Sequence, residues 1–125
     1  MRRVVAVIAG VPAAIIAYWC GAVVALLLMH GIPLGSTGGP ATNGDVSLHL
    51  VLAVLASFGG ALVAIRIARS SPLATAWATG LLLGAGAIAG FSKPASQWPA
   101  WFAFGMAAAS ILGAVAAGRW AVRSK

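Results

Sequence analysis

Four long apolar segments, separated by shorter polar stretches, dominate the pattern of hydrophobic and polar positions along the chain. They run from about Val4 to Met29, Val46 to Ile65, Leu73 to Phe91 and Trp98 to Ala121. A helix needs about 20 predominantly apolar residues to cross the roughly 30 Å hydrocarbon core of a bilayer, and each segment has about that length. The pattern therefore predicts an all-α, integral membrane four-helix bundle, with residues 1–125 forming a single transmembrane domain.

The connections between the predicted spans differ in length. Residues 30–45 form a long outer loop rich in Gly, Pro, Ser and Thr, in which we predict a turn at Asn43-Gly44 and an N-cap at Asp45. The inner connection is short and ends in Ser71-Pro72, an N-cap followed by proline at the first helical position. The outer turn at residues 92–97 is also short. Spans two and three, and spans three and four, are therefore expected to be antiparallel neighbours.

The composition excludes an ordinary soluble domain. Of the 125 residues, 62% are hydrophobic and only 7% are charged, against about 25% charged in soluble domains. The net charge is +7, with eight Lys and Arg and a single acid, Asp45. These basic residues flank the apolar segments and do not form a stripe with interleaved aromatics, so we predict no binding of nucleic acid.

The basic residues also predict the orientation, because cytoplasmic loops are enriched in Lys and Arg. If the N-terminus is inside, only Lys93 lies on the outer side. The basic residues on the inner side are then Arg2, Arg3, Arg66, Arg69, Arg119, Arg123 and Lys125. Boundary aromatics agree, since Trp77 and Trp120 would lie at the inner interface and Trp98 and Trp101 at the outer one. We predict a multi-pass protein of the bacterial cytoplasmic (inner) membrane with both termini in the cytoplasm (N-in/C-in).

Every predicted span carries small residues at four-residue spacing, which places each row on one helix face. Helices associate in a bilayer through close packing at such positions, because lipid is as apolar as leucine. The rows predict packing within the bundle or, where a row is left over, an interface with a second copy or another membrane protein. The rows are Ala6, Gly10 and Ala14; Ala17, Gly21 and Ala25; Ala56, Gly60 and Ala64; Gly80 and Gly84; Gly86 and Gly90; Gly105, Ala109, Gly113 and Ala117.

Candidate chemistry is sparse. No Asp, Glu, Lys or Arg lies in the interior of a predicted span, which disfavours a proton-coupled transporter or a channel with a ring of charge. His30, Asp45 and His49 all fall on the outer side, but their spacing matches no metal motif. We expect them to be helix-end residues facing water or headgroups. We predict no catalytic residue, no metal site and no cofactor.

Polar side chains within the spans are few: Tyr18, Trp19, Cys20, Ser57, Thr75, Thr79 and Ser110. Tyr18 and Trp19 lie near mid-span, whereas such residues usually lie at membrane boundaries. We expect buried aromatics hydrogen-bonded across the bundle, and the alternative is contact with a small molecule or lipid. A water-filled path lined by Tyr18, Ser57, Thr79 and Ser110 would favour transport, whereas sealed packing would favour interaction.

From the second span onward, several boundary motifs follow a common pattern. They are the segments 64–73 (AIRIARSSPL), 87–91 (AIAGF) and 97–102 (QWPAWF), with Gly118-Arg119 near the end. In these motifs the chain resembles a group of small, uncharacterised four-span bacterial membrane proteins. The resemblance implies the four-span fold and no particular activity.

Together these patterns favour a non-enzymatic interaction or assembly protein. It would associate with itself as a homo-oligomer, or with a larger membrane-protein partner, through its small-residue faces within the lipid bilayer. The alternative is a transporter or channel for a neutral small solute. It would be an oligomer, because four spans this poor in polar residues enclose little pore.

Overall fold

A computed structural model describes residues 1–30, 43–91, 99 and 101–124, with the backbone alone at Arg3, residues 25–30, residues 43–45 and Phe91. Within this part of the chain the structure consists of four α-helices and contains no strands. The helices are α1 (Arg2–His30), α2 (Asn43–Ala68), α3 (Pro72–Phe91) and α4 (Phe102–Arg123). Each is long and apolar enough to span a membrane, which confirms the predicted all-α membrane bundle.

Helix α2 begins three residues before the predicted span. Asp45 therefore lies inside its first turn, and the predictions of an N-cap at Asp45 and a turn at Asn43-Gly44 are wrong. The rest of the predicted outer loop, residues 31–42, and the outer turn with Lys93 and Trp98 lie outside the described residues.

The connection between α2 and α3 is a tight turn. The Arg69 amide donates to the carbonyl oxygen of Ile65 at 3.0 Å, and the Thr75 amide donates to the carbonyl oxygen of Ser71 at 3.1 Å. Pro72 is the first residue of α3, as predicted. Arg69 and Ser71 have φ angles of 54° and 46°, so the chain reverses through two residues in the left-handed region.

The arginines near the helix ends all lie at one end of the bundle, which we call the basic end. Here α1 and α3 begin and α2 and α4 end, and Gly118 of α4 packs against Ala76 of α3. The arginines near these helix ends are Arg2, Arg66, Arg69, Arg119 and Arg123. Trp77 and Trp120 lie toward the same end and are exposed. The opposite end, where α1 ends and α2 begins, is called the connection end.

Helices α1 and α2 cross through residues with no side chain larger than a methyl group. A Cβ atom on Gly60 would lie 2.5 Å from the Cβ of Ala14 and 2.6 Å from the carbonyl oxygen of Gly10. A Cβ on Gly10 would lie 2.7 Å from the Cβ of Ala64. Only hydrogen fits at either glycine, so these small-residue rows of α1 and α2 are used for packing within the bundle.

Helix α4 packs between α2 and α3 in the same way. A Cβ on Gly113 would collide with the hydroxyl of Ser57 and the carbonyl of Val54, both on α2. On its other side, α4 meets Gly80 of α3, where a Cβ would lie 3.0 Å from that of Ala114. The backbones of α1 and α4 do not approach each other within the described ranges, and α1 meets α3 over only a few residues. The bundle is therefore least closed between α1 and α3.

Candidate functional site

One face of α3 is closed at the basic end and open toward the connection end. Thr75 and Thr79 are buried, whereas Leu82, Gly86 and Gly90 are exposed. These five positions follow one another at intervals of three or four residues and so share a face of the helix. Helix α3 is therefore packed at the basic end and leaves a space beside α1 toward the connection end.

This space is a lateral cavity of about 390 Å³. Ile15 and Trp19 of α1 line one wall, and Leu82 and Gly86 of α3 line the other. Side chains of α2 and α4 form the floor. A Cβ added to Gly86 or Gly90 would meet no other atom within 4 Å, so the glycines on the α3 side leave the opening wide.

The hydroxyl groups at the cavity floor are already hydrogen-bonded to their own helices. Ser57 Oγ donates to the carbonyl oxygen of Ala53 at 2.6 Å, and Ser110 Oγ donates to that of Met106 at 2.8 Å. This back-bonding is typical of serine inside a membrane helix. Thr79 is fully buried outside the cavity lining, where its Oγ1 donates to the carbonyl oxygen of Thr75 at 2.9 Å. These hydroxyls therefore do not line one continuous polar path.

Tyr18 joins α1 to α2 at the part of the cavity that lies toward the connection end. Its hydroxyl is hydrogen-bonded to Nδ1 of His49, and the His49 ring packs edge-on against Phe102 of α4, with ring centroids 6.4 Å apart. Tyr18 also belongs to a buried apolar cluster with Val46, Phe102 and Met106. The prediction of a buried aromatic hydrogen-bonded across the bundle is confirmed for Tyr18.

The same prediction is wrong for Trp19. Its side chain is 58% exposed, packs edge-on against Tyr18 with ring centroids 5.6 Å apart, and lines the cavity. Neighbouring residues on a helix point about 100° apart, so when Tyr18 faces α2, Trp19 faces away from it.

His30, Asp45 and His49 are predicted to lie on the outer side, and of these three the structure describes only the side chain of His49. His49 is half-buried and bonded to Tyr18, so the expectation that it faces water or headgroups is wrong. Sequence reasoning grouped it with its chain neighbour Asp45 and missed its partner on α1. The side chains of His30 and Asp45 lie outside the described residues. Among the side chains that are described, no group of three potential metal ligands occurs together.

The fold defines the class of the protein as a multi-pass, four-helix integral membrane protein. No family model, curated protein or solved structure matches the chain. The resemblance to small four-span bacterial membrane proteins therefore stays a prediction.

Proposed function

We propose that this is a non-enzymatic membrane protein that works by associating with another membrane helix through the outward face of α3. This face is defined by Ala74, Ala78, Leu81, Ala85 and Ala89, all of which are exposed. The observation that carries the proposal is the set of four exposed alanines on this face, which no other helix of the chain covers in the described structure.

Small residues favour helix association in lipid because they let two backbones approach closely. Most small-residue rows of this chain are already used inside the bundle, as the contacts of Gly10, Gly60 and Gly113 illustrate. The outward faces of α1 and α2 instead carry large aliphatic side chains suited to lipid, including Ile8, Ile16, Val51 and Leu55. The α3 outward face carries four exposed alanines beside Leu81, which supports a protein partner for it.

The proposed location is the bacterial cytoplasmic membrane, with the basic end in the cytoplasm. The arginines at the ends of all four helices lie at this one end. The positive-inside rule then favours an inner side for both termini and for the α2–α3 turn.

The test compares the unchanged tagged chain with two double variants. Each is purified from its native membrane into nanodiscs, and the mass of the particle is measured. Ala78→Leu with Ala85→Leu places bulky side chains on the α3 outward face. Ala108→Leu with Ala116→Leu is the matched control, because it makes the same change at two exposed positions of α4. We expect the unchanged chain and the control to be found in a complex, and the α3 variant as a single chain.

The mass and composition of the complex distinguish a second copy from a larger partner. A single chain in every sample would overturn the proposal. So would a complex that the α3 variant leaves intact.

The second candidate is an oligomeric transporter or channel for a neutral small solute, which the lateral cavity favours. Its floor hydroxyls are bound to their own helices, so a solute would find few donors there. Flux of a neutral solute into liposomes that contain the purified chain tests this candidate. A rate equal to that of empty liposomes would reject it.

A further inference from the structure

We propose that the lateral cavity between α1 and α3 holds one hydrocarbon chain of a membrane lipid. This binding site is distinct from the α3 outward face. The α3 residues that line the cavity include Leu82, Gly86 and Gly90, and none of these three belongs to that face. The hydrocarbon chain lies against α2 and α4 and leaves the cavity sideways, into the bilayer.

The lining selects an apolar occupant. Ile15, Ala53, Leu82 and Met106 provide apolar surface on all four helices. The hydroxyl groups of the lining are used within the protein: the Tyr18 hydroxyl is bonded to His49, and the two serine hydroxyls donate to carbonyls of their own helices. Water needs two to four polar partners to be held in a cavity, so these walls favour a hydrocarbon over ordered water.

The size of the cavity suits a hydrocarbon chain. The cavity measures about 390 Å³. A methylene group is close in size to a water molecule, whose share of liquid volume is about 30 Å³, so the cavity has room for roughly a dozen carbon atoms.

The position of the lining residues shows the direction in which the cavity runs. The lining residues nearest the basic end are Val11, Ser57, Leu82 and Ser110, and those nearest the connection end are Trp19 and Gly90. The cavity therefore extends from the middle of the bundle toward one membrane surface, along the direction of a lipid chain. Trp19 is exposed and lines this opening.

Photo-crosslinking tests this site in the complete chain. The protein is placed in phosphatidylcholine nanodiscs that contain phosphatidylcholine with a diazirine near the end of one acyl chain, and labelled residues are mapped by mass spectrometry. Ser57, Met106 and Ser110 are buried in the floor, so a chain reaches them only through the cavity. We expect labels at these residues as well as at lipid-facing Leu55 and Leu112.

Two matched variants separate the cavity from the general lipid surface. Gly86→Leu narrows the cavity and Gly59→Leu adds the same side chain to the outside of α2, and a Cβ meets nothing within 4 Å at either position. Floor labelling is expected to fall about tenfold in Gly86→Leu, because the added side chain blocks the close approach of a hydrocarbon chain to the floor, and to stay unchanged in Gly59→Leu. Gly90→Leu gives a second narrowing variant if Gly86→Leu does not fold.

A parallel experiment with a diazirine-bearing free fatty acid shows whether phospholipid or free fatty acid supplies the chain. Floor labelling by either probe supports the site. Absence of floor labelling with both probes, or equal floor labelling in the narrowing variant, overturns it. Ala78→Leu with Ala85→Leu is expected to leave floor labelling unchanged, so failure of the association proposal is distinguishable from failure of this one.

Discussion

The hydroxyl of Tyr18 on α1 is hydrogen-bonded to Nδ1 of His49 on α2, which lies 31 residues further along the chain. This bond lies toward the connection end, whereas the Gly10–Gly60 crossing joins the same two helices toward the basic end. Helix α1 is therefore held to α2 at two levels, once by a polar bond and once by backbone contact.

Removing this hydrogen bond should have a modest effect on stability. Tyr18→Phe keeps the ring and is expected to lower the free energy of unfolding by about 0.6 kcal/mol, the average for hydrogen bonds between membrane helices, and by no more than about 1.7 kcal/mol, the largest value found for them. A double-mutant cycle with His49→Ala, measured by unfolding in mixed micelles, isolates the coupling energy. Trp77→Phe is the control, because Trp77 is exposed near the basic end of α3, away from this bond. A coupling energy of zero would contradict the bond.

Two adjacent glycines of α2 should respond in opposite ways to alanine. Gly60→Ala forces a methyl group against Ala14 and the carbonyl of Gly10, and is expected to destabilise the bundle by at least about 2 kcal/mol. Gly59→Ala meets nothing within 4 Å and is expected to stabilise by up to about 1 kcal/mol, because alanine is the better helix former. Unfolding of both variants in the same micelles provides the comparison, and equal effects would refute the close crossing.

Thr75 offers a site where an apolar side chain should improve stability. Its Oγ1 atom is buried and has no hydrogen-bond partner in the described structure. Thr75→Val removes this unsatisfied group and is expected to raise the free energy of unfolding by about 1 kcal/mol. Thr79→Val removes a hydrogen bond to the Thr75 carbonyl and is expected to lower the free energy of unfolding by up to about 1 kcal/mol. The opposite order of stability would show that Thr75 has a partner.

The orientation can be measured by thiol labelling in a Cys20→Ala background, which removes the single cysteine. Cysteines introduced at Asn43, the first residue of α2, and at Ser70, in the α2–α3 turn, report on opposite ends of the bundle. Because the basic end is expected in the cytoplasm, a membrane-impermeant reagent should label Asn43→Cys in intact cells and Ser70→Cys only after lysis. The reverse labelling would invert the topology.

The sequence was sufficient to predict the helices, because length and apolarity alone define a membrane span. It also predicted that α3 begins at Pro72. It did not predict which small residues would be covered, because rows such as Gly10–Ala14 and Gly86–Gly90 look alike until the neighbouring helices are known. The lateral cavity was not predicted for the same reason, since it depends on α1 packing against α2 and hardly meeting α3.

The half of the bundle at the basic end is closely packed. Ala61, Ala64, Ala76 and Ala114 are fully buried there, and the cavity lining does not extend past Val11 and Ser57 in that direction. In the described structure the cavity therefore ends near the middle of the bundle, so a molecule that enters it from the connection end does not reach the basic end.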